Sequence, residues 1–228
     1  MVPVVSFVGY HNSGKTTVAT EVVKKLKEKG YRVAVLKSTK EKRVFTDKPG
    51  KDSYRYREAG ADAVGLFSPE ELFLTFRVKK ESTDLTFLSF LLFDEYDVVV
   101  CEGFKRAPVP KIEVIREELK EPPLFEKDPN VVAVVTDSSV RVKEKKVFHP
   151  EQVGEIATFI EEEFIKKREE EFPDEVELFV NGKRIPMKFF LKGILKEVLI
   201  GFLKPLKGIE NPVERIDVRV VKGRGKNS

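Results

Sequence analysis

The chain has 228 residues, with 42 basic and 38 acidic side chains, a formal net charge of +4 and 41% apolar residues. Against roughly 100–200 residues per domain this allows one substantial domain with a small appendage, and it excludes wholesale disorder. One cysteine excludes a disulfide framework and a four-thiolate zinc site, and no run reaches the ~18 apolar residues of a membrane span. The first nine residues, MVPVVSFVG, lack the basic region and cleavage site of a signal peptide, so a soluble cytoplasmic protein is expected.

Charge is unevenly placed. Residues 181–228 carry 12 Lys/Arg against 4 Asp/Glu, and the remainder 30 against 34. The composition is also rich in Lys and Glu, with a single Gln (Gln152), the bias of proteins from hot environments.

In chain order, Val4 to Val8 reads as a short buried strand. Lys15 to Lys29 follows as a helix with Val18, Val22, Val23 and Leu26 on one face, and Gly30 stands at its C-terminal end. Arg32 to Lys37 is a second strand, which completes a right-handed βαβ unit. Residues 38–51 read as a polar loop or mobile arm, followed by a short helix from Asp52 to Ala59. Ala63–Phe67 and Leu72–Phe76 are strand candidates around a Ser-Pro-Glu-Glu turn. Thr83–Phe93 is an apolar helix capped by Ser82 or Thr83, and Asp97–Cys101 a buried strand whose first residue is a turn aspartate. Ile112–Ile115 and Val131–Val135 are further strands, and Glu151–Arg168 is a closing helix with an acidic outer face.

Continuous apolar strands alternating with helices predict a mostly parallel sheet covered on both sides. The charge run at Glu169–Glu171, with Pro173, reads as a linker. Beyond it, VELFV-NG-KRIP predicts a tight hairpin, Met187–Leu203 a helix and Val213–Val221 a strand. The expected division is residues 1–170 and an appendage at 175–228, too small to be robust alone.

Gly9-Tyr10-His11-Asn12-Ser13-Gly14-Lys15-Thr16 fits G-x-x-x-x-G-K-S/T. In that pattern the backbone curls so that N–H groups point at phosphate oxygens, and the next helix adds its positive end. Lys15 would neutralise the β and γ phosphates, and Thr16 would ligate Mg²⁺. With Thr17, the run Gly9, His11, Asn12, Ser13, Gly14, Lys15 and Thr16 is the expected nucleotide site. His11 can equally fill a variable loop position. Glu102, after DVVVC, is placed to hold Mg²⁺ beside Thr16, with Gly103 allowing close backbone approach. The fold class is therefore α/β: a phosphate-loop NTPase-like, mostly parallel sheet with helices on both faces, plus a small α+β appendage.

Other residues admit two readings each. Asp137, after VVAVVT, either accepts from guanine N1 and N2 or is a turn aspartate. Lys51, Arg55 and Arg57, near Asp52 and Ser53, either grip a pyrophosphate or partner or form a solvated helix face. Lys105, with Arg106, follows Glu102-Gly103-Phe104 at the carboxyl edge of the sheet, where ligands bind. Cys101 reads as core, His149 as a residue before or capping the last helix, and the 187–203 helix as core or partner-docking rather than membrane-inserted. The basic end KGRGKNS lacks the interleaved aromatics of a nucleic-acid surface.

GYHNSGKTT at 9–17, KPGKDSYRYREAGA at 48–61, VCEGFK at 100–105 and PKIEVIR at 110–116 together resemble the molybdopterin-guanine dinucleotide biosynthesis protein B family, MobB. The first stretch is generic to phosphate-loop proteins; the second, third and fourth are specific. The resemblance implies GTP and Mg²⁺ binding, weak hydrolysis, and support of the molybdenum cofactor guanylyltransferase that attaches GMP to molybdopterin. It also implies a homodimer, and Lys37, Lys51, Asp52, Ser53, Arg55, Arg57 and Lys105 as substrate or partner contacts. Many members carry histidines after the lysine matching Lys37, whereas this chain has Ser38-Thr39-Lys40. The C-terminal extension resembles an addition in archaeal-type members. Two rivals remain: an ATP-dependent small-molecule kinase with 38–51 as a lid, and a non-catalytic nucleotide-gated adaptor.

Overall fold

A computed structural model describes residues 2–41, 51–76, 84–116, 122–140, 142–168, 176–181, 183–209, 212–213, 215–218 and 220. Expectations for Lys48–Gly50, Ser82, Thr83, Glu169–Pro173, Gly182 and the KGRGKNS end lie outside these residues. Two compact units are present, Met1–Pro173 with Asn181–Lys183, and Asp174–Val180 with Arg184–Ser228.

The larger unit is built on a six-stranded sheet in the order β2-β5-β1-β6-β7-β8. Its strands are β1 (Val4–Val8), β2 (Val33–Lys37), β5 (Val98–Glu102), β6 (Lys111–Ile115), β7 (Val131–Thr136) and β8 (Lys146–Phe148). All five pairings are parallel. The β-branched runs earn their central places because both faces are covered. Phe7, Val100, Ile112, Val114 and Val135 pack under α1 (Lys15–Glu28) and α4 (Val153–Ile160). On the other face Val4, Val99 and Cys101 meet Leu85 and Phe93 of α3 (Leu85–Phe93). Each such buried Val, Leu, Ile or Phe contributes roughly 1.5–3 kcal/mol over its exposed state. Burial pushes the Cys101 thiol up to about 12, so this cysteine is core.

Helix ends follow local chemistry. At the end of α1, Gly30 N–H donates to Lys27 O and Tyr31 N–H to Leu26 O, the paired bonds of a Schellman motif. The α3 helix starts at Leu85 rather than Thr83, because Asp84 accepts from the N–H groups of Thr86 and Phe87 and is its cap. The closing helix begins at Val153, not Glu151, and widens into a π-helical turn over Glu161–Lys166. Its acidic face is not wholly outward: Glu161 is buried, accepting from Lys29, from the Tyr31 hydroxyl at 2.9 Å and pairing with Lys166 at 3.2 Å.

The hydrogen bond from Lys29, then those from Tyr31 and Lys166, hold Glu161 at about 2, below the ordinary carboxylate value of 4.5. A depressed carboxylate stabilises the fold above its unfolded value, and that contribution is lost as pH falls toward 2. Glu161→Gln is expected to cost on the order of 2 kcal/mol at pH 7 and to flatten the loss of stability below pH 4.5. Urea unfolding at pH 7 and pH 3 checks both; equal midpoint shifts at the two pH values would contradict the assignment.

The α2 helix (Asp52–Glu58) packs on β3 (Ala63–Phe67), which forms a separate antiparallel hairpin with β4 (Leu72–Phe76). Both strands stand where the sequence places them, yet they join no larger sheet. Their apolar side chains are open to solvent, with Phe67 86% and Leu72 64% exposed, and Leu66, Phe73, Leu74 and Phe76 exposed as well.

Past residue 175, β9 (Phe179–Val180) and β10 (Lys183–Arg184) pair around Asn181, whose φ of 52° suits the expected turn. The helix α5 runs Phe189–Leu203, two residues shorter than expected, and none of its residues is buried, against the core reading. Lys192 pairs with Glu177 at 3.1 Å. The described residues of 213–220 form no strand.

Candidate functional site

The carboxyl ends of β1, β5 and β6 meet around the glycine loop between β1 and α1. Gly9, Asn12 and Gly14 take positive φ (148°, 61° and 84°), which turns the chain tightly into the first turn of α1. Lys15 bends back over the loop, donating to Tyr10 O and to Ser13 Oγ at 3.3 Å. Ser13 is buried inside the turn, while His11, Asn12, Thr16 and Thr17 are exposed around it. His11 thus fills an outer loop position.

Glu102 ends β5 directly beside the loop, in register with Phe7 of β1. Thr16 Oγ1 donates to its two carboxylate oxygens at 2.9 and 3.0 Å, and Lys37 of β2 pairs with it at 3.1 Å. The structure thus brings Thr16 and Glu102, the two residues expected to hold Mg²⁺, into contact, and the Lys37 ammonium shares the same carboxylate from the neighbouring strand. A hydroxyl and a carboxylate at a phosphate cradle are hard oxygen donors of the kind Mg²⁺ takes alongside water and phosphate oxygens. The donor set fits that ion. Among the described residues no group of three or more His, Cys, Asp or Glu could hold a metal by itself.

Behind Glu102 the backbone is locked. Gly103 has φ 95°, its N–H donates to Phe7 O at 2.9 Å, and Ser6 Oγ donates to its carbonyl at 2.7 Å. A Cβ on Gly103 would run into Ser38 Oγ, which also accepts from Phe104 N–H at 3.3 Å. Ser38 thus ties β2 to the turn that aims Glu102.

Lys105 does reach the loop: its ammonium lies 4.0 Å from the centre of the Tyr10 ring, and the Tyr10 hydroxyl donates to Pro122 O at 3.0 Å. Burial first, and then the charges of Lys105 and Lys37, lower the Lys15 pKa against an opposing pull from Glu102. The loop is an electropositive cradle. Asp137 lies just past Thr136, which is in register with Ile115, so it stands at the same sheet edge two strands from β1. Lys51, Asp52, Arg55 and Arg57 stand at the start of and along α2, which packs on β3, with Ser53 buried.

Sequence reasoning missed four residues here. Tyr10 was given no role beyond its place in the loop motif. Lys111 and Glu113 are charged residues on a central strand, yet 1% and 0% exposed. Glu113 accepts the N–H groups of Leu124 and Phe125 at 2.7 and 2.8 Å, fixing the turn that Tyr10 touches. Burial raises the Glu113 pKa against those two hydrogen bonds. Arg116, just past β6, rests against Gly14. The available signal was the alternation in KIEVIR, which puts Lys111 and Glu113 on the face opposite Ile112 and Val114.

Comparison with known proteins gives the family and the fold. The family model "MobB: Molybdopterin guanine dinucleotide synthesis protein B" matches residues 4–137. The "Molybdopterin-guanine dinucleotide biosynthesis adapter protein" of Haemophilus influenzae is 34% identical over 70% of this chain and 88% of its own. A putative adapter protein of the same description from Methanocaldococcus jannaschii is 29% identical over 92% of this chain and 94% of its own, a span that takes in most of the smaller unit. Among solved structures, a molybdopterin-guanine biosynthesis protein B superposes with a TM-score of 0.55 at 34% identity, covering 69% of this chain and 95% of that one. Bacillus subtilis MobB gives 0.55 at 30% identity over 68% and 96%. With its phosphate-loop NTPase-like sheet and a family match over more than half its length, the chain belongs to the MobB family.

Proposed function

We propose that this protein is an accessory adapter of molybdenum cofactor biosynthesis that binds Mg²⁺·GTP and assists the guanylyltransferase joining GMP to molybdopterin. The observation that carries the reading is the assembled Lys15, Thr16 and Glu102 set on a positive-φ loop in a MobB-family chain. The names of its relatives support the pathway. Lys15 neutralises phosphate charge, the loop N–H groups bind the phosphate oxygens, and Thr16 and Glu102 hold Mg²⁺, which would polarise the terminal phosphates. Asp137 supplies the acceptor that distinguishes guanine from adenine. Residues of this chain give no glutamine at the loop to orient water, so intrinsic hydrolysis is slow. Calorimetric titration tests the base preference: Mg²⁺·GTP is expected to bind more tightly than Mg²⁺·ATP, and preference for ATP would favour a kinase.

The working form is a homodimer assembled through the β3–β4 hairpin. Two strands with open edges and six exposed large apolar side chains make a self-complementary surface that a lone chain leaves in water. Sedimentation is expected to give a dimer for the wild type and a monomer for Phe67→Glu/Leu72→Lys. A variant that stays dimeric would move the interface elsewhere. Lys51 and Arg55, on and beside α2, which packs on β3, are then placed to meet the guanylyltransferase or its pterin substrate.

A further inference from the structure

Four cations surround the phosphate loop. Glu102 is engaged by Lys37 and Thr16, Lys105 is set over Tyr10, and Lys15 is folded onto the loop's own oxygens. The fourth is Arg116. Its Nη2 and Nε lie 3.0 and 3.2 Å from the position a Cβ would take on Gly14, so the guanidinium rests against the loop's second glycine. Gly14 is the N-cap of α1, where aligned peptide dipoles leave partial positive charge. A guanidinium there is unfavourable unless an anion is shared between the two. Among the described residues no carboxylate pairs with Arg116.

The topology says which part of an anion it meets. Glu102 on β5 and Arg116 beyond β6 flank the β1 loop from opposite sides. The metal-bound terminal phosphates belong on the Glu102 flank. On the other flank Ile115 is in register with Thr136, so Arg116 and Asp137 leave neighbouring strands at the same level. Arg116 therefore stands between the cradle and the carboxylate proposed to read the base.

Resting on the reading that the loop holds a guanine nucleotide, we propose that Arg116 is a nucleotide-binding residue that donates its planar fork to the inner, α and β, phosphates. A guanidinium matches two phosphate oxygens at once, which a lysine does not. Loss of a charged hydrogen-bonding group of this kind weakens binding about 10- to 100-fold.

The test is calorimetric titration of Mg²⁺·GTP and Mg²⁺·GDP into wild type, Arg116→Met, Arg116→Lys and Lys15→Ala, with nucleotide-free melting of each. The expected result is a similar loss for both nucleotides in Arg116→Met, a smaller loss in Arg116→Lys, and unchanged melting. Wild-type affinity in Arg116→Met, or a loss confined to GTP, would overturn the inner-phosphate role while leaving the loop reading intact. Lowered nucleotide-free melting of both Arg116 variants would mark a structural prop instead. If the wild type binds neither nucleotide, the loop reading itself falls, and this inference with it.

Discussion

Lys15→Ala is expected to leave the fold intact and to weaken Mg²⁺·GTP binding by at least about 100-fold, a loss of roughly 3 kcal/mol. The Lys15 ammonium is half-buried, and its present partners are oxygens of the loop itself, Tyr10 O and Ser13 Oγ. Burial and the nearby charges of Lys105 and Lys37 make it a cation held against its electrostatic preference. A bound phosphate would be a counter-charge for this ammonium, so binding is expected to depend on it. Removing the ammonium costs the native fold little, because no buried acid depends on it. Titration paired with thermal melting checks both halves. Retained affinity would mean that the loop amides alone hold the ligand.

Asp128→Ala carries the largest expected effect on stability. Lys111 is 1% exposed on the central strand β6, and its ammonium reaches Asp128 Oδ2 at 2.8 Å. Asp128 also accepts from the Asn130 N–H and side-chain amide, both at 2.9 Å. Burial would raise the Asp128 pKa, but the hydrogen bond from Lys111, with those from Asn130, outweighs it and holds the value below the ordinary one. Truncating the acid strands a buried ammonium, which costs about 3–5 kcal/mol. In a chain of this size that is a fall in melting temperature of roughly 10 °C or more. Lys111→Met added to Asp128→Ala removes the stranded charge and is expected to recover most of the loss, since apolar replacement of a buried pair is often neutral. Denaturant unfolding of the three proteins decides it; a single variant within 1 kcal/mol of wild type would show that water reaches Lys111.

What was legible in the sequence was what local pattern decides. The glycine loop, its strand and its helix followed from spacing alone, and Glu102 followed from the end of an apolar run. The residues that escaped are those whose surroundings are made by distant segments. Lys111 and Glu113 look like solvent-facing charges until the 122–130 segment covers them. Glu161 reads as one of an acidic run until Lys29 and Tyr31 arrive from the end of α1. The β3–β4 hairpin illustrates the reverse: both strands were found, but alternation cannot say that they stay out of the main sheet. The described residues of the expected 213–221 strand form none either, because a pattern does not supply a partner edge.

The most direct measurement is guanylylation itself. Molybdopterin, limiting GTP and the guanylyltransferase are incubated alone, with this protein, and with its Lys15→Ala variant, and the guanine dinucleotide product is quantified. The account predicts that the wild-type protein raises the yield and that the variant does not. Equal yields in all three, with the wild type binding GTP, would contradict an adapter role that works through the phosphate loop.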